Sequence, residues 1–198
     1  MLALTAETLA RIANTYGIDY DAQPEEVTDT ERIVTTKISR VFPIDRQAAY
    51  TTFADPQNHT RYFDIIKGST PLIPLEGALP KDEYIVLEHV QEAQLPSRMM
   101  LVKYKLEPPN TIVKEALTDP FSEDDPLSDK KRGKVRLSFE ELGRNSTRVT
   151  CESTFKSSLG PVFVRGFIDH VWFNFFEKLM VETGEIERGQ MLTGDTAG

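Results

Sequence analysis

Three histidines, one cysteine and a dense set of carboxylates are the side chains of this 198-residue chain that could do chemistry. His59, His89 and His170 are scattered. A zinc site needs several converging ligands at characteristic spacings, and none is present, so no metal is expected. Cys151 sits in a strand-like run with no helix N-terminus beside it to lower its pKa, and reads as a small buried hydrophobe. Glu88 and His89 are neighbours in an alternating run and must point to opposite sides of a strand. If Tyr84 and Val86 face inward, so does Glu88, and a buried carboxylate there needs a partner such as Arg98 or Lys103. The competing reading is an ion pair across neighbouring strands at the surface. His170 lies at the edge of an apolar helix face, as a structural histidine or as a group that orients a ligand carbonyl or exchanges a proton. The chain has no glycine-rich phosphate loop and no Gly-x-Ser-x-Gly nucleophile pattern. No catalytic residue is assigned and no cofactor is expected.

The elements that would position these residues follow from periodicity. Val164, Phe167, Ile168, Val171, Trp172, Phe175, Phe176 and Leu179 recur at three- and four-residue spacing, so the C-terminal stretch is a helix with one broad apolar face. Pro161 marks its start. Run to Arg188, it would span roughly 40 Å at about 1.5 Å per residue. Before it the period is two. Strands are predicted over Glu31–Phe42, Thr70–Leu75, Glu83–Glu92, Arg98–Leu106, Thr111–Thr118, Gly133–Leu142 and Thr147–Lys156, the last two forming a hairpin about Gly143 to Asn145. Between the first two lie two short helices, one capped by Asp45 and broken at Asp55 and Pro56, the other carrying Tyr62, Phe63, Ile65 and Ile66 and ending at Gly68. Residues 119–132 read as a polar exposed loop.

Net charge is −8, which opposes wrapping of nucleic acid, where neutralisation of phosphates dominates affinity. No run is long and apolar enough for a membrane span, and Met1 to Glu7 does not have the form of a signal peptide. A single cysteine cannot form an internal disulfide, and a reducing cytoplasm is the expected compartment. Leu2, Leu9, Ile12, Ala13 and Tyr16 could line a short helix broken at Gly17. The stretch from Asp19 to Thr30 reads as a linker. Residues 1–31 are therefore expected to be an extension, packed on the outside of the domain or pairing two chains as a homodimer. The main domain is expected at 32–188, with a tail at 189–198.

One strand, two short helices, six strands and a long helix make an α+β helix-grip fold, a seven-stranded curved antiparallel sheet wrapped around the C-terminal helix. The order resembles the START-like (SRPBCC) superfamily of lipid-transfer domains, plant pathogenesis-related proteins, polyketide cyclases and coenzyme Q-binding proteins. The stretches that carry the resemblance are Ser39 to Tyr50 (SRVFPIDRQAAY), Phe53 to Pro56 (FADP), and Val149 to Phe155 (VTCESTF) leading into Gly160 and Pro161. It implies a cavity between sheet and helix. Candidate lining residues are Phe53, Tyr62, Phe63, Val86, Met100, Val102, Tyr104, Leu137, Phe139, Phe167, Val171 and Phe175, with Tyr104, Arg98 or His170 orienting a ligand. Two functional readings follow, a carrier of a small hydrophobic or lipid-like molecule and an enzyme of the polyketide cyclase/aromatase type. A third is an interaction module whose interior is filled.

Overall fold

The computed structural model describes residues 5–23, 26–27, 32–72, 79, 81–91, 97–118, 133–157 and 161–193. Helix α1 (Ala6–Tyr16) is capped by Thr5, whose hydroxyl accepts from the Thr8 N–H, and is closed by Gly17 at φ +62°, a conformation that costs glycine little. Strands β1 (Asp19–Ala22), β2 (Glu26–Val27) and β3 (Arg32–Phe42) follow. Asp45 caps α2 (Arg46–Ala54) by accepting from the Ala48 N–H at 3.0 Å. A 3-10 turn at Pro56–Asn58 leads into α3 (His59–Tyr62). The sheet continues through β4 (Ile66–Leu72), β5 (Glu83–Val90), β6 (Arg98–Glu107), β7 (Thr111–Thr118), β8 (Gly133–Gly143) and β9 (Ser146–Ser157). Helix α4 (Pro161–Glu182) and the short α5 (Gln190–Thr193) end the described chain.

Among the described residues nine strands form one antiparallel sheet in the order β1-β3-β9-β8-β7-β6-β5-β4, with β2 also on β3. The expected count of seven is therefore corrected to nine. The two additional strands lie in the acidic stretch read as a linker. Strand pairing needs only backbone groups, so a short and mostly exposed edge strand such as β1 leaves no apolar alternation to read. The second short helix is also shorter than expected. It stops at Tyr62, and Ile66 already pairs with Val90 in the sheet.

Helix α4 ends at Glu182 rather than near Arg188. Gly184 at φ +75° reverses the chain, with the Glu185 N–H on the Met180 carbonyl and the Gly184 N–H on the Val181 carbonyl, a Schellman closure. Nor is the helix apolar on one face only. Trp172, Phe173, Phe175, Phe176, Leu179 and Met180 are all buried, as expected of a helix packed on several sides. The sheet covers the front. Behind it, Tyr20 of β1 meets Phe173 edge-on at 5.4 Å, and Leu9, Ile12, Ala13, Ile18 and Met191 join the same core. Of the two places the sequence offered for the apolar stripe of α1, the outside of the domain or a second subunit, Leu9, Ile12 and Ala13 take the first.

Buried polar contacts fix α4 over the sheet. Asp169 accepts from the Thr36 hydroxyl at 2.9 Å and from the Tyr20 hydroxyl at 2.6 Å, and the Trp172 indole N–H donates to Ser153 at 2.9 Å. The space between α4, α2 and the region after α3 is filled by rings. Phe175 lies 5.1 Å from Phe53, 5.0 Å from Phe63 and 5.9 Å from Trp172, and Phe53 stacks on Phe139 at 5.9 Å. Phe175→Ala should destabilise the fold by about 3–5 kcal/mol, from lost transfer energy and the cavity left behind. Leu142→Ala, at an exposed position, should stay within about 0.5 kcal/mol. Urea unfolding of both variants checks the pair.

Candidate functional site

Strand register decides what faces the interior. Opposed residues of an antiparallel pair share a face, so the rows Tyr84–Tyr104–Lys114–Val135–Ser153 and Val86–Val102–Ala116 run across one side of the sheet, together with Glu88 opposite Met100. The buried Val86, Val102, Tyr104, Leu137 and Phe139 identify this as the concave, core side. Most of that surface is apolar. Where β5, β6 and β7 meet α3, it is not.

Four side chains converge there. The Tyr104 hydroxyl is 2.5 Å from Glu88 Oε1 and 2.6 Å from His59 Nδ1. Lys114 Nζ is 3.1 Å from the same carboxylate oxygen and 3.4 Å from His59 Nδ1. His59 Nε2 is 3.0 Å from the Phe53 carbonyl. A carbonyl only accepts, so Nε2 carries the proton. Nδ1 of His59 lies 2.6 Å from the Tyr104 hydroxyl, which can donate or accept, and 3.4 Å from both the Lys114 ammonium and Glu88 Oε1. Burial and the Lys114 charge push the imidazole pKa down. Burial by itself would raise the Glu88 carboxyl, but the Lys114 ammonium, then His59 and last the hydrogen bond from Tyr104 outweigh it and lower the pKa to about 2. Burial, then the Glu88 charge and hydrogen bond, push the Tyr104 phenol well up. The quartet at neutral pH is one carboxylate, one ammonium, a neutral imidazole and a neutral phenol, with no net charge.

Aromatic rings hold it in place. Tyr104 stacks between Tyr84 at 5.0 Å and His59 at 5.3 Å, and the Lys114 ammonium lies 5.3 Å from the Phe63 ring centre. Chemically the arrangement is a fixed donor–acceptor chain in which the Tyr104 proton can face either Glu88 or His59. With its carboxylate, imidazole and phenol in contact, it could relay a proton to a group bound beside Lys114.

The expected partners of Glu88 are corrected by this geometry. Its cation is Lys114, not Lys103, which lies among Glu83 and Glu115 at 3.7 and 3.6 Å. The side chains of Arg98 and Phe167 lie outside the described residues. Glu88 is buried rather than part of a surface ion pair. Of the candidate lining residues, Phe53, Tyr62, Phe63, Phe139 and Phe175 form the packed ring cluster, and Val86, Val102 and Leu137 are buried on the sheet. Tyr104 is the one that enters the quartet. Met100 and Val171 are only partly buried. His170 is on α4 one turn before Asn174, whose amide donates to Asp64 at 2.5 Å. Burial lowers its pKa and the Asp64 charge opposes that shift. His59 and Lys114 went unread in the sequence, although Lys114 is in phase with Ile112 and Ala116, and His59 precedes Tyr62 and Phe63 at helical spacing. Cys151 is fully buried, and burial raises its thiol pKa. Among the described residues no group of side chains could hold a metal ion, and no helix is long and apolar enough to cross a membrane.

Comparison with solved structures agrees on the architecture. The chain resembles a START superfamily protein from Mycobacterium smegmatis (15% identity, 77% of this chain and 99% of the other, TM-score 0.58). It also resembles a STAR-related lipid transfer protein from Xanthomonas axonopodis (12%, 83% and 98%, TM-score 0.56). A third likeness is to the Zhui aromatase/cyclase of a Streptomyces species (12%, 75% and 94%, TM-score 0.53). No protein-family model and no curated protein matches the sequence. At such identities the likeness establishes the fold alone: an α+β fold with a curved antiparallel sheet and a C-terminal helix, shared with these structures.

Removing the ammonium strands a buried charge, so Lys114→Met should cost about 3–5 kcal/mol at neutral pH, and adding Glu88→Gln should restore most of it. The pH dependence has a definite sign. A carboxyl whose folded pKa is depressed contributes stability above its ordinary value of 4.5, and that contribution disappears as pH falls towards about 2. Glu88→Gln should flatten the stability profile in that window. Urea titrations across the acid range test both expectations.

Proposed function

We propose that the chain binds a small, mostly apolar molecule between the sheet and α4. One observation carries this reading. The inward-facing Met100, Ala116, Val135 and Phe155, with Val171 of α4, keep partial exposure, whereas Val86, Val102, Leu137 and Phe139 on the same strands are buried. Solvent-accessible apolar surface on a concave face is what a ligand would cover, at roughly 25 cal/mol per Å². At its margin the Phe155 ring crosses Gly133, where an added Cβ would meet a ring carbon at 3.0 Å. Glycine lets the ring lie close to the strand. Met100 and Val171 from the sequence-based set would contact the ligand, and Tyr104 would act through the quartet. That the similar structures include a lipid transfer protein and an aromatase/cyclase supports a ligand-holding use of the fold.

A second reading has its own observation. Glu88 and His59 both lie within hydrogen-bonding distance of the Tyr104 hydroxyl on the inner face, which an acid–base enzyme of the cyclase type would require. Binding comes first because it needs only the accessible apolar surface, whereas catalysis also needs a substrate atom within reach of the relay.

Uptake of N-phenyl-1-naphthylamine, followed by its fluorescence, tests the binding reading. The wild-type chain should take up the probe and gain thermal stability from it. Val135→Trp, which would occupy the accessible space, should weaken uptake at least about tenfold while the melting temperature of the free protein is kept. A folded wild type that takes up no probe would overturn the reading.

A further inference from the structure

This inference rests on the binding reading and concerns the polar end of the interior. Lys114 is the most exposed of the charged and imidazole members of the quartet. Its side chain keeps 11% exposure against 6% for Glu88 and 1% for His59. Its cross-strand neighbour Val135, and Ala116 two residues along its own strand, are among the partly exposed inward positions. An ammonium has three N–H donors. Glu88 Oε1 and His59 Nδ1 accept two of them, and among the described residues no third oxygen or nitrogen acceptor is present. Ser69, paired with Glu88 across β4 and β5 and so on the same face, has a buried hydroxyl with no hydrogen-bond partner.

We propose that the molecule held here carries an uncharged oxygen acceptor, a ketone, ester or alcohol, which takes the third N–H of Lys114, and that the site disfavours carboxylates and amines of the same length. The charge arrangement decides between these heads. A carboxylate on Lys114 would share one ammonium with Glu88, placing like charges together where water is scarce. An amine would meet the ammonium itself. A wholly apolar end would leave the donor unsatisfied. A neutral oxygen accepts a charge-assisted hydrogen bond without bringing a charge of its own to desolvate.

The test uses the full chain and competitive displacement of N-phenyl-1-naphthylamine by 2-decanone, 1-decanol, decanoate and decylamine at neutral pH. The ketone and alcohol should displace the probe at concentrations at least about tenfold below those of the two charged heads. The carbonyl stretch of bound 2-decanone should lie at lower wavenumber than in hexane. In the Lys114→Met/Glu88→Gln double variant, which strands no charge, the affinity for 2-decanone should fall about tenfold relative to that for the fluorescent probe, and the stretch should return to its hexane position. Decanoate binding as tightly as the ketone would overturn the inference, as would a double variant that keeps both the ketone affinity and the shifted stretch. Absence of probe binding in the wild type would instead remove the binding reading itself, and this inference with it.

Discussion

A straight helix cannot lie flush on a concave sheet, and the rest of this structure answers that constraint. Helix α4 is tied to one wall by Asp169 on Thr36 and Tyr20, and by Trp172 on Ser153. The Thr36 and Ser153 contacts are buried and the Tyr20 contact is half-buried, so their geometry is costly to change. The gap left by curvature must then be filled or remain accessible. Towards α2 and α3 it is filled by Phe53, Tyr62, Phe63, Phe139 and Phe175. Towards Met100, Ala116, Val135 and Phe155 the inner surface keeps exposure. A single interior thus has two characters, a packed end and an accessible one.

Much of this was legible because it rests on local rules. The β8–β9 hairpin alternates cleanly, with Val149, Cys151 and Ser153 buried at every second position. Asp45 caps the helix that it was expected to cap. The long helix was legible as apolar but not as buried on several sides, since its back is covered by segments from both ends of the chain. Tyr20 carries a contact that no periodicity announces, because β1 offers mainly backbone pairing and one ring.

The quartet was less legible for a different reason. A lysine in a run such as Thr111 to Thr118 reads as the solvent side of a strand, and only its phase with Ile112 and Ala116 argues otherwise. The pairing of Lys114 with Glu88 is set by register across three strands, and His59 arrives from a helix far off in sequence. Local pattern places each residue on a face but does not bring the faces together. That step requires the register of β5, β6 and β7 and the seating of α3 on β4.

The cost of the quartet bears on its meaning. A buried ion pair is seldom more stabilising than apolar residues of the same volume, because desolvation offsets the attraction. Glu88 and Lys114 are therefore poor candidates for residues that merely hold the sheet together, where Val86, Val102 and Ala116 already pair across β5, β6 and β7. Nor is the quartet a sealed polar core. Lys114 is its most exposed member and has an N–H to spare, whereas Glu88 and His59 are more deeply enclosed. The accessible member is the one that can meet a ligand, and the enclosed members fix its charge and direction. Had the pair served packing alone, burial of the ammonium with the rest would have cost no more in geometry and would have left no donor at the edge of the accessible surface.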